Sequence, residues 1–185
     1  MKTYLVKETL KYTGAELSSF FAEKSFSIKG NSIIAFCGPA EVNEEHMVDL
    51  EDLKNKDFIF SEDMVHFIVE IFDLNLERAV ALQRLLITIL HEKLQELKPE
   101  IKLKRNGDDL MDGQNKLTVS IATTSPISSL IHVGINVSSK NTPVPTKGLA
   151  DYGIDPKAFA EKVLKAFQEE FLSMEHARTK VRQVP

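Results

Sequence analysis

The apolar residues of this 185-residue chain change their spacing near residue 101, and the change limits the folds that the chain can adopt. Between residues 61 and 97 they recur three and four positions apart, as on one face of a helix. Between residues 101 and 137 they occupy alternate positions, as on one face of a strand. The pattern predicts a single α+β domain over residues 1–185, with a mixed, mainly antiparallel sheet covered on one face by helices.

Several of the predicted elements carry start or stop signals. Ser61 and Asp155-Pro156 resemble helix N-termini, and Pro99 ends a helical stretch. Thr13-Gly14-Ala15-Glu16 is a capping-box pattern that predicts a further short helix, and residues 178–185 are predicted to be a frayed tail. The longer helices are predicted over residues 61–72, 76–97 and 155–176. The strands are predicted over residues 3–7, 32–37, 57–60, 116–122 and 131–137.

The charge and cysteine content exclude several classes of function. The formal net charge is −4, which argues against broad electrostatic binding to nucleic acid or an anionic membrane. The single cysteine excludes an intrachain disulfide and a cysteine-based zinc cage. The sequence has neither an apolar run of ~18 residues for a membrane span nor the apolar core of a signal peptide. We therefore expect a cytoplasmic protein that binds neither membranes nor nucleic acid.

Two predicted strands would place polar side chains together on one face of the sheet. Side chains alternate across a strand, so the apolar residues of 117–121 and 131–137 would join the core beneath the helices. The opposite face would be polar, with space above its glycine, and could hold a ligand. The alternative is the ordinary solvated face of an antiparallel sheet. The residues of this polar face are Lys116, Thr118, Ser120, His132, Gly134 and Asn136.

Two carboxylates precede the lysine of this face by seven and eight positions. Asp112-Gly113 is a tight-turn signal that would bring Asp109 and Lys116 onto facing strands. An aspartate and a lysine can bind a nucleotide and its metal, with Asp109 on Mg²⁺ and Lys116 on phosphate. They can equally form a cross-strand salt bridge, which contributes little stability where it is exposed.

Three short motifs in this region resemble those of biotin and lipoate protein ligases. Those enzymes carry Asn-Asp-Leu, then a lysine seven residues after the aspartate, then a strand with Gly-Ile-Asn-Val. This chain has Asp108-Asp109-Leu110, a lysine at the same interval in Lys116-Leu117-Thr118-Val119-Ser120-Ile121, and Gly134-Ile135-Asn136-Val137. The whole chain resembles an uncharacterised, largely archaeal family with the biotin/lipoate ligase-like fold, which is related to class II aminoacyl-tRNA synthetases.

The resemblance implies roles for individual residues. Lys116 would contact an acyl carbonyl and an adenylate phosphate, and Asp109 would support a Mg²⁺ ion and the phosphates, which makes both of them candidate catalytic residues. ATP and Mg²⁺ are the implied cofactors, and the implied ligand is a small carboxylate or its acyl-nucleotide. The candidate ligand-binding residues are Asp108, Thr118, Ser120, His132, Gly134 and Asn136.

The sequence also departs from the ligase pattern. The ligases hold the adenylate beneath a loop rich in glycine and arginine, whereas the glycines before residue 107 are isolated here, at Gly14, Gly30 and Gly38. Three functions therefore stay open: an ATP-dependent ligase or acyltransferase, a non-catalytic binding module on the same fold, and a hydrolase that uses the same pocket. The oligomeric state is also open, with a homodimer as one option.

Other residues have two interpretations each. Cys37 could accept an acyl group or be a buried structural cysteine. His66 and Glu70, four positions apart on the predicted helix, could hold a metal but favour a helix-surface contact. Lys140 and Lys147 could bind phosphate or belong to a surface loop. Glu44, Glu45 and His46 are interpreted as solvated residues of an acidic loop over residues 41–56.

Overall fold

A computed structural model describes residues 1–55 and 59–184 of the chain. The α-helices are α1 (Phe21–Phe26), α2 (Leu50–Asn55), α3 (Leu76–Leu97) and α4 (Pro156–Ala177). The strands are β1 (Lys2–Thr9), β2 (Ser32–Val42), β3 (Ile59–Ile71), β4 (Lys104–Asn106), β5 (Asp109–Asp112), β6 (Asn115–Lys116), β7 (Thr118–Thr124) and β8 (Ser129–Asn136). Two short 3₁₀ turns span Glu44–His46 and Leu149–Tyr152.

Five of the strands form the main sheet, in the order β1-β2-β3-β8-β7. β1 pairs with β2 in parallel, and the other neighbours are antiparallel, which confirms the predicted mixed, mainly antiparallel sheet. The strands β4, β5 and β6 form a second, small antiparallel sheet. Its β5–β6 hairpin turns at Gly113, which has a φ of +61° that suits glycine.

The main core lies between one face of the large sheet and the two long helices. Asn75 caps α3 by accepting a hydrogen bond from the Arg78 amide, and Asp155 caps α4 in the same way through Ala158. The buried stripes of α3 and α4 pack on alternate residues of β3 and β8. The predictions of helices over 76–97 and 155–176 on one face are therefore confirmed.

The helix predicted over residues 61–72 is wrong, because this segment is the central strand β3. β3 lies between β2 and β8 and is buried on both faces. Val65, Phe67 and Val69 face the helices, whereas Met64 and Ile68 face the opposite core. A strand buried on both faces is apolar at almost every position, so helical spacing can be found within it. Residues 57 and 58 of the strand predicted over 57–60 lie outside the described residues.

The other face of the sheet is covered by the segment that follows β1. The capping-box contact at Thr13 is present, since its amide donates to Glu16 Oε2 at 2.8 Å. It closes only a turn, however, and α1 begins later, at Phe21. Tyr12 and Ala22 pack there against Ile34, Phe36 and their neighbours. The strand predicted over 32–37 extends to Val42 through an irregularity between Gly38 and Ala40.

Gly148 permits a close backbone approach at the end of the loop that follows β8. A Cβ atom there would lie 2.5 Å from the carbonyl oxygen of Val137. We expect Gly148→Ala to lower the free energy of unfolding by about 2 kcal/mol, because the loop must move away from β8. Chemical denaturation measures the loss. Gly153→Ala is the control, because a Cβ atom there would meet nothing within 4 Å and only the φ of +63° opposes a side chain. Equal losses of stability in the two variants would contradict the close-approach explanation.

Candidate functional site

A cavity of about 270 Å³ opens on the sheet face opposite α3 and α4. A second cavity, of about 330 Å³, adjoins it. The two share four lining residues, and Lys116 is the cationic one among them. The first cavity is lined chiefly by Tyr12, His46, Asp49, Asp108, Asp109, Lys116, Val119, Ile121 and His132. The second is lined chiefly by Ile59, Ser61, Met64, Lys116, Thr118, Val119, Asn136, Thr142 and Val144.

Lys116 and Asp109 form an ion pair at the junction of the two cavities. The Lys116 Nζ atom lies 2.9 Å from Asp109 Oδ2, with 34% and 26% of the respective side chains exposed. The β5–β6 hairpin brings them together, as the turn signal at Asp112-Gly113 predicts. Burial raises the pKa of the Asp109 carboxyl above its ordinary value, although the hydrogen bond from Lys116 opposes that change.

Asp108 is held by side chains from α3 and β7. Gln83 Nε2 donates to Asp108 Oδ2 at 3.0 Å, and Ser120 Oγ donates to the same oxygen at 3.1 Å. The Arg84 guanidinium lies 3.5 Å from Asp108 Oδ1. Asp108 and Ser120 border the first cavity, but their polar atoms already have protein partners. This network fixes the start of β5 against α3 and thereby positions Asp109.

The prediction for β7 is wrong by one position. Val119 and Ile121 line the first cavity, whereas Ser120 bonds Gln83 on the helix side. Thr118 borders the second cavity, but its Oγ1 accepts a hydrogen bond from the Leu110 amide at 2.9 Å. Leu117 lies between β6 and β7 and belongs to neither strand. This break shifts the alternation, because a one-residue slip moves every following side chain to the other face.

The prediction for the faces of β8 is confirmed. Its branched residues lie in the helix-side core, and His132 and Asn136 line the first and second cavity respectively. The space expected above Gly134 is not open: a Cβ atom there would lie 2.9 Å from Met64 Cε and 3.2 Å from Val119 Cγ2. Asn136 Oδ1 accepts a hydrogen bond from Ser61 Oγ at 3.2 Å.

A buried aromatic stack forms the inner wall of the first cavity. The Tyr12 ring lies on the His132 ring with 3.8 Å between centroids, and His66 Nδ1 lies 3.1 Å from His132 Nε2. His66 Nε2 lies 3.1 Å from the carbonyl oxygen of Gly38. Tyr12 reaches this place because Gly38 has no side chain and lets the backbone of Leu10 approach. A Cβ atom on Gly38 would lie 2.0 Å from the carbonyl oxygen of Leu10.

Sequence reasoning missed two residues of this stack and part of the rim. Tyr12 carries no local signal for a site. The sequence predicts His66 on a helix beside Glu70, but His66 lies on β3, and Glu70 accepts hydrogen bonds from the Phe20 amide and the Ser128 hydroxyl. On a strand, residues four positions apart point to the same face of the sheet, so interpreting residues 61–72 as a strand could have located His66. His46 lies in the loop interpreted as solvated, yet it lines the first cavity.

The remaining candidates lie away from the cavities. Cys37 packs against the helix-side core, on the other face of the sheet. Burial, and to a lesser extent the negative charge of Asp63, raises the pKa of its thiol. Lys147 Nζ donates to Asp112 Oδ2 at 2.6 Å and lines neither cavity. Lys140 lies in the same loop and also lines neither.

The described lining of the first cavity offers neither a cluster of ligands for a resident metal nor the cationic charge that a triphosphate requires. Four aspartates, at positions 49, 52, 108 and 109, line it, and Lys116 is the sole lysine or arginine among the described lining residues. Within residues 1–55 and 59–184, no group of three His, Cys, Asp or Glu side chains could hold a metal ion. Asp109 Oδ2 is bound to Lys116 instead. The implied Mg²⁺ role of Asp109 therefore has no supporting ligand set.

A solved enzyme structure identifies the class of fold. A biotin protein ligase from Aquifex aeolicus in complex with biotin and ATP superposes with a TM-score of 0.59 at 18% identity, covering 91% of this chain and 69% of the ligase. An identity this low shows the fold alone. The chain therefore has the biotin/lipoate protein ligase-like fold that its motifs predict.

Closer relatives identify the family. A protein of unknown function from Pyrococcus horikoshi superposes with a TM-score of 0.94 at 38% identity, covering 100% of this chain and 99% of the other. The uncharacterized protein MJ0805 from Methanocaldococcus jannaschii is 44% identical over 160 residues, which is 83% of this chain and 72% of that protein. The profile of the family described as domain of unknown function DUF366 matches residues 1–182. The chain belongs to this family, and the predicted archaeal resemblance is confirmed.

Within the described part of the chain, no helix combines the length and the apolarity that a membrane span requires.

Proposed function

We propose that this protein binds a small carboxylate, or the acyl part of its acyl-nucleotide, across the two joined cavities. The observation that carries the proposal is the position of Lys116, which lines both cavities and is held by Asp109. A partly buried ammonium needs an anionic partner, and Asp109 supplies one until a ligand carboxylate or carbonyl oxygen arrives. The likeness of the fold to a ligase solved with biotin and ATP supports an acyl ligand in this place.

The same ammonium gives the site a means of catalysis. In acyl transfer, negative charge develops on the carbonyl oxygen, and a fixed cation beside that oxygen stabilises the transition state. Lys116 would fill this role in a ligase or an acyltransferase. The fold thus supports a ligase or an acyltransferase. A hydrolase would use the same cation, with water as the acceptor of the acyl group.

A non-catalytic binding module is the second candidate, and the lining charges favour it. The four aspartates of the first cavity oppose a triphosphate, and no arginine lines either cavity among the described residues. A single carboxylate or phosphoryl group needs only one cation. A module that binds a finished acyl compound would therefore tolerate a lining that ATP itself does not suit.

Ligand-induced stabilisation tests the role of Lys116. Thermal unfolding is followed with biotin, lipoate and octanoate, each with and without ATP, for the parent protein and for Lys116→Ala. We expect one of these carboxylates to raise the melting temperature of the parent and to have no effect on Lys116→Ala, because the variant lacks the cation that binds it. Lys147→Ala, which removes a lysine outside both cavities, should respond as the parent does.

Carboxylate-dependent exchange between ATP and pyrophosphate then separates the two candidates. Exchange that depends on Lys116 would support a ligase. Stabilisation without exchange would support the binding module. An unchanged response of Lys116→Ala, or the absence of stabilisation and exchange with every carboxylate, would refute the proposed function.

A further inference from the structure

The hydrogen bonds of the stacked histidines fix where their protons lie. The carbonyl oxygen of Gly38 can only accept, so His66 Nε2, 3.1 Å away, carries a proton. His66 is fully buried and neutral, so its Nδ1 is a bare acceptor. The 3.1 Å contact between that Nδ1 and His132 Nε2 therefore requires the proton to lie on His132. A neutral His132 with a protonated Nε2 leaves its own Nδ1 as a bare acceptor.

This last acceptor has no partner among the residues that the structure describes, and it opens to the first cavity. His132 is 2% exposed, and its Nδ1 makes no hydrogen bond to any described residue. Among the described residues, Ser32 Oγ is the one side-chain polar atom that is both sealed from solvent and unpartnered, so His132 Nδ1 is not sealed. The cavity that His132 lines gives it this access.

Tyr12 adds a second unpartnered polar atom at the same wall. The side chain is 3% exposed and lines the first cavity, and its hydroxyl makes no hydrogen bond to any described residue. Its ring is nearly parallel to that of His132, at an interplanar angle of 14°, which fixes the orientation of the imidazole. Both atoms face the cavity and have no partner among the described residues, so a ligand that fills the cavity can form hydrogen bonds with them.

We infer that the first cavity binds a ligand group that donates an N–H or O–H hydrogen bond to His132 Nδ1 and exchanges a second hydrogen bond with the Tyr12 hydroxyl. This site rests on the proposed function for the opposite end of the ligand, which meets Lys116. The ligand class is a carboxylate or acyl compound whose acyl end meets Lys116 and whose far end is a neutral polar group, such as an amide, a urea or an alcohol.

Selectivity follows from the direction of this hydrogen-bond chain. The N–H groups of both imidazoles donate toward Gly38, so His132 presents a bare Nδ1 acceptor to the cavity. A neutral His132 could donate from Nδ1 only by giving up the Nε2 proton that binds His66. A ligand with the same shape but no donor would leave His132 Nδ1 unpaired. Sites built to bond a polar group discriminate strongly against such analogues.

A pair of neutral lactams tests the donor requirement without involving Lys116. 2-Pyrrolidinone has an N–H group, and N-methyl-2-pyrrolidinone has a methyl group in its place. Titrations followed by the imidazole NMR signals of the full chain should show the methylated lactam binding roughly tenfold more weakly, or not at all. The same long-range proton–nitrogen spectra should show the unliganded His132 protonated at Nε2.

Two variants provide the controls. His132→Phe keeps an aromatic ring in the stack but removes the acceptor, so it should bind both lactams equally and weakly. Lys116→Ala should discriminate between the lactams as the parent does, because neither lactam carries a carboxylate. Equal affinity of the parent for both lactams, binding of neither, or a proton on His132 Nδ1 would overturn the inference. Failure of the carboxylates to bind at Lys116 would leave this result unchanged, so the two proposals fail separately.

Discussion

Leu117→Ala should lower the free energy of unfolding by ~2–5 kcal/mol, which is the range for truncating a buried leucine. Leu117 is 0% exposed and belongs to the core beneath α3 and α4. Its amide donates to the Leu110 carbonyl oxygen at 2.8 Å, and its own carbonyl oxygen accepts from the Asn136 amide at 2.9 Å. These bonds to neighbouring segments hold the backbone in place, so the core cannot collapse to fill the space. Guanidinium chloride unfolding measures the change.

The adjacent residue is the matched control. Lys116→Ala removes an ion pair that is partly exposed to solvent, with 34% and 26% of the two side chains exposed, so its loss should cost less than the truncation of a fully buried leucine. We therefore expect neighbouring substitutions to separate the two roles, with Leu117→Ala affecting the fold and Lys116→Ala affecting the ligand. Similar small losses in both variants would show that Leu117 does not lie in the core.

The parts of the site that the sequence predicts are those set by local rules. The Asp109–Lys116 pair depends on a hairpin turn of two residues at Gly113, and a dipeptide signal is enough to predict it. The cavity-facing side of β8 depends on unbroken alternation from Ser129 to Asn136. Both features arise within about ten residues of sequence, so they need no knowledge of the rest of the fold.

The parts that it does not predict depend on distant neighbours. β3 has no polar face because it is covered by one core on each side, and this coverage is decided by segments elsewhere in the chain. The shift of β7 depends on the break at Leu117, where the backbone bonds Leu110 and Asn136 rather than a single partner strand. Tyr12 enters the site only because its segment runs along β2, where Gly38 leaves room.

The two proposals together describe one ligand with two chemically different ends. Lys116 is the cation between the cavities, and it suits an acyl oxygen or a carboxylate. His132 and Tyr12 lie at the inner wall of the first cavity, and they suit a neutral hydrogen-bonding group. Asp108 and Asp109 at the rim oppose additional negative charge. The combination favours a compact acyl compound of low charge over a free triphosphate.

The second large effect should be a loss of stability in mild acid. Burial lowers the pKa of His66 to about 4, although the hydrogen bond to the Gly38 carbonyl opposes that change. Burial, together with the nearby His66, lowers the pKa of His132 well below its ordinary value. In the unfolded chain both imidazoles titrate near ~6.5. Between that pH and about 4, the unfolded chain therefore binds more protons than the folded protein does.

The sign of the pH dependence follows from this difference in bound protons. The stabilisation by the neutral histidines is complete above pH ~6.5 and decreases as the pH falls toward the folded-state pKa of His66. From pH 7 to pH 5 we expect a loss of ~2 kcal/mol from His66 and a further loss of the same sign from His132. The raised pKa of Asp109 acts in the opposite direction, because protonation of that carboxyl favours the folded state. Guanidinium chloride unfolding at pH 7, 6 and 5 measures the sum.

Two variants assign the acid sensitivity to the buried pair. His66→Gln keeps an N–H donor for the Gly38 carbonyl but does not titrate, so the contribution of His66 to the loss between pH 7 and pH 5 should disappear. His176→Gln removes an exposed imidazole from α4 and should retain the full loss. A parent protein equally stable at pH 7 and pH 5 would show that the two imidazoles take up protons in the folded state as readily as in the unfolded chain. His132 Nδ1 would then carry a proton at pH 5, and at that pH the ligand would have to supply an acceptor to this wall instead of a donor.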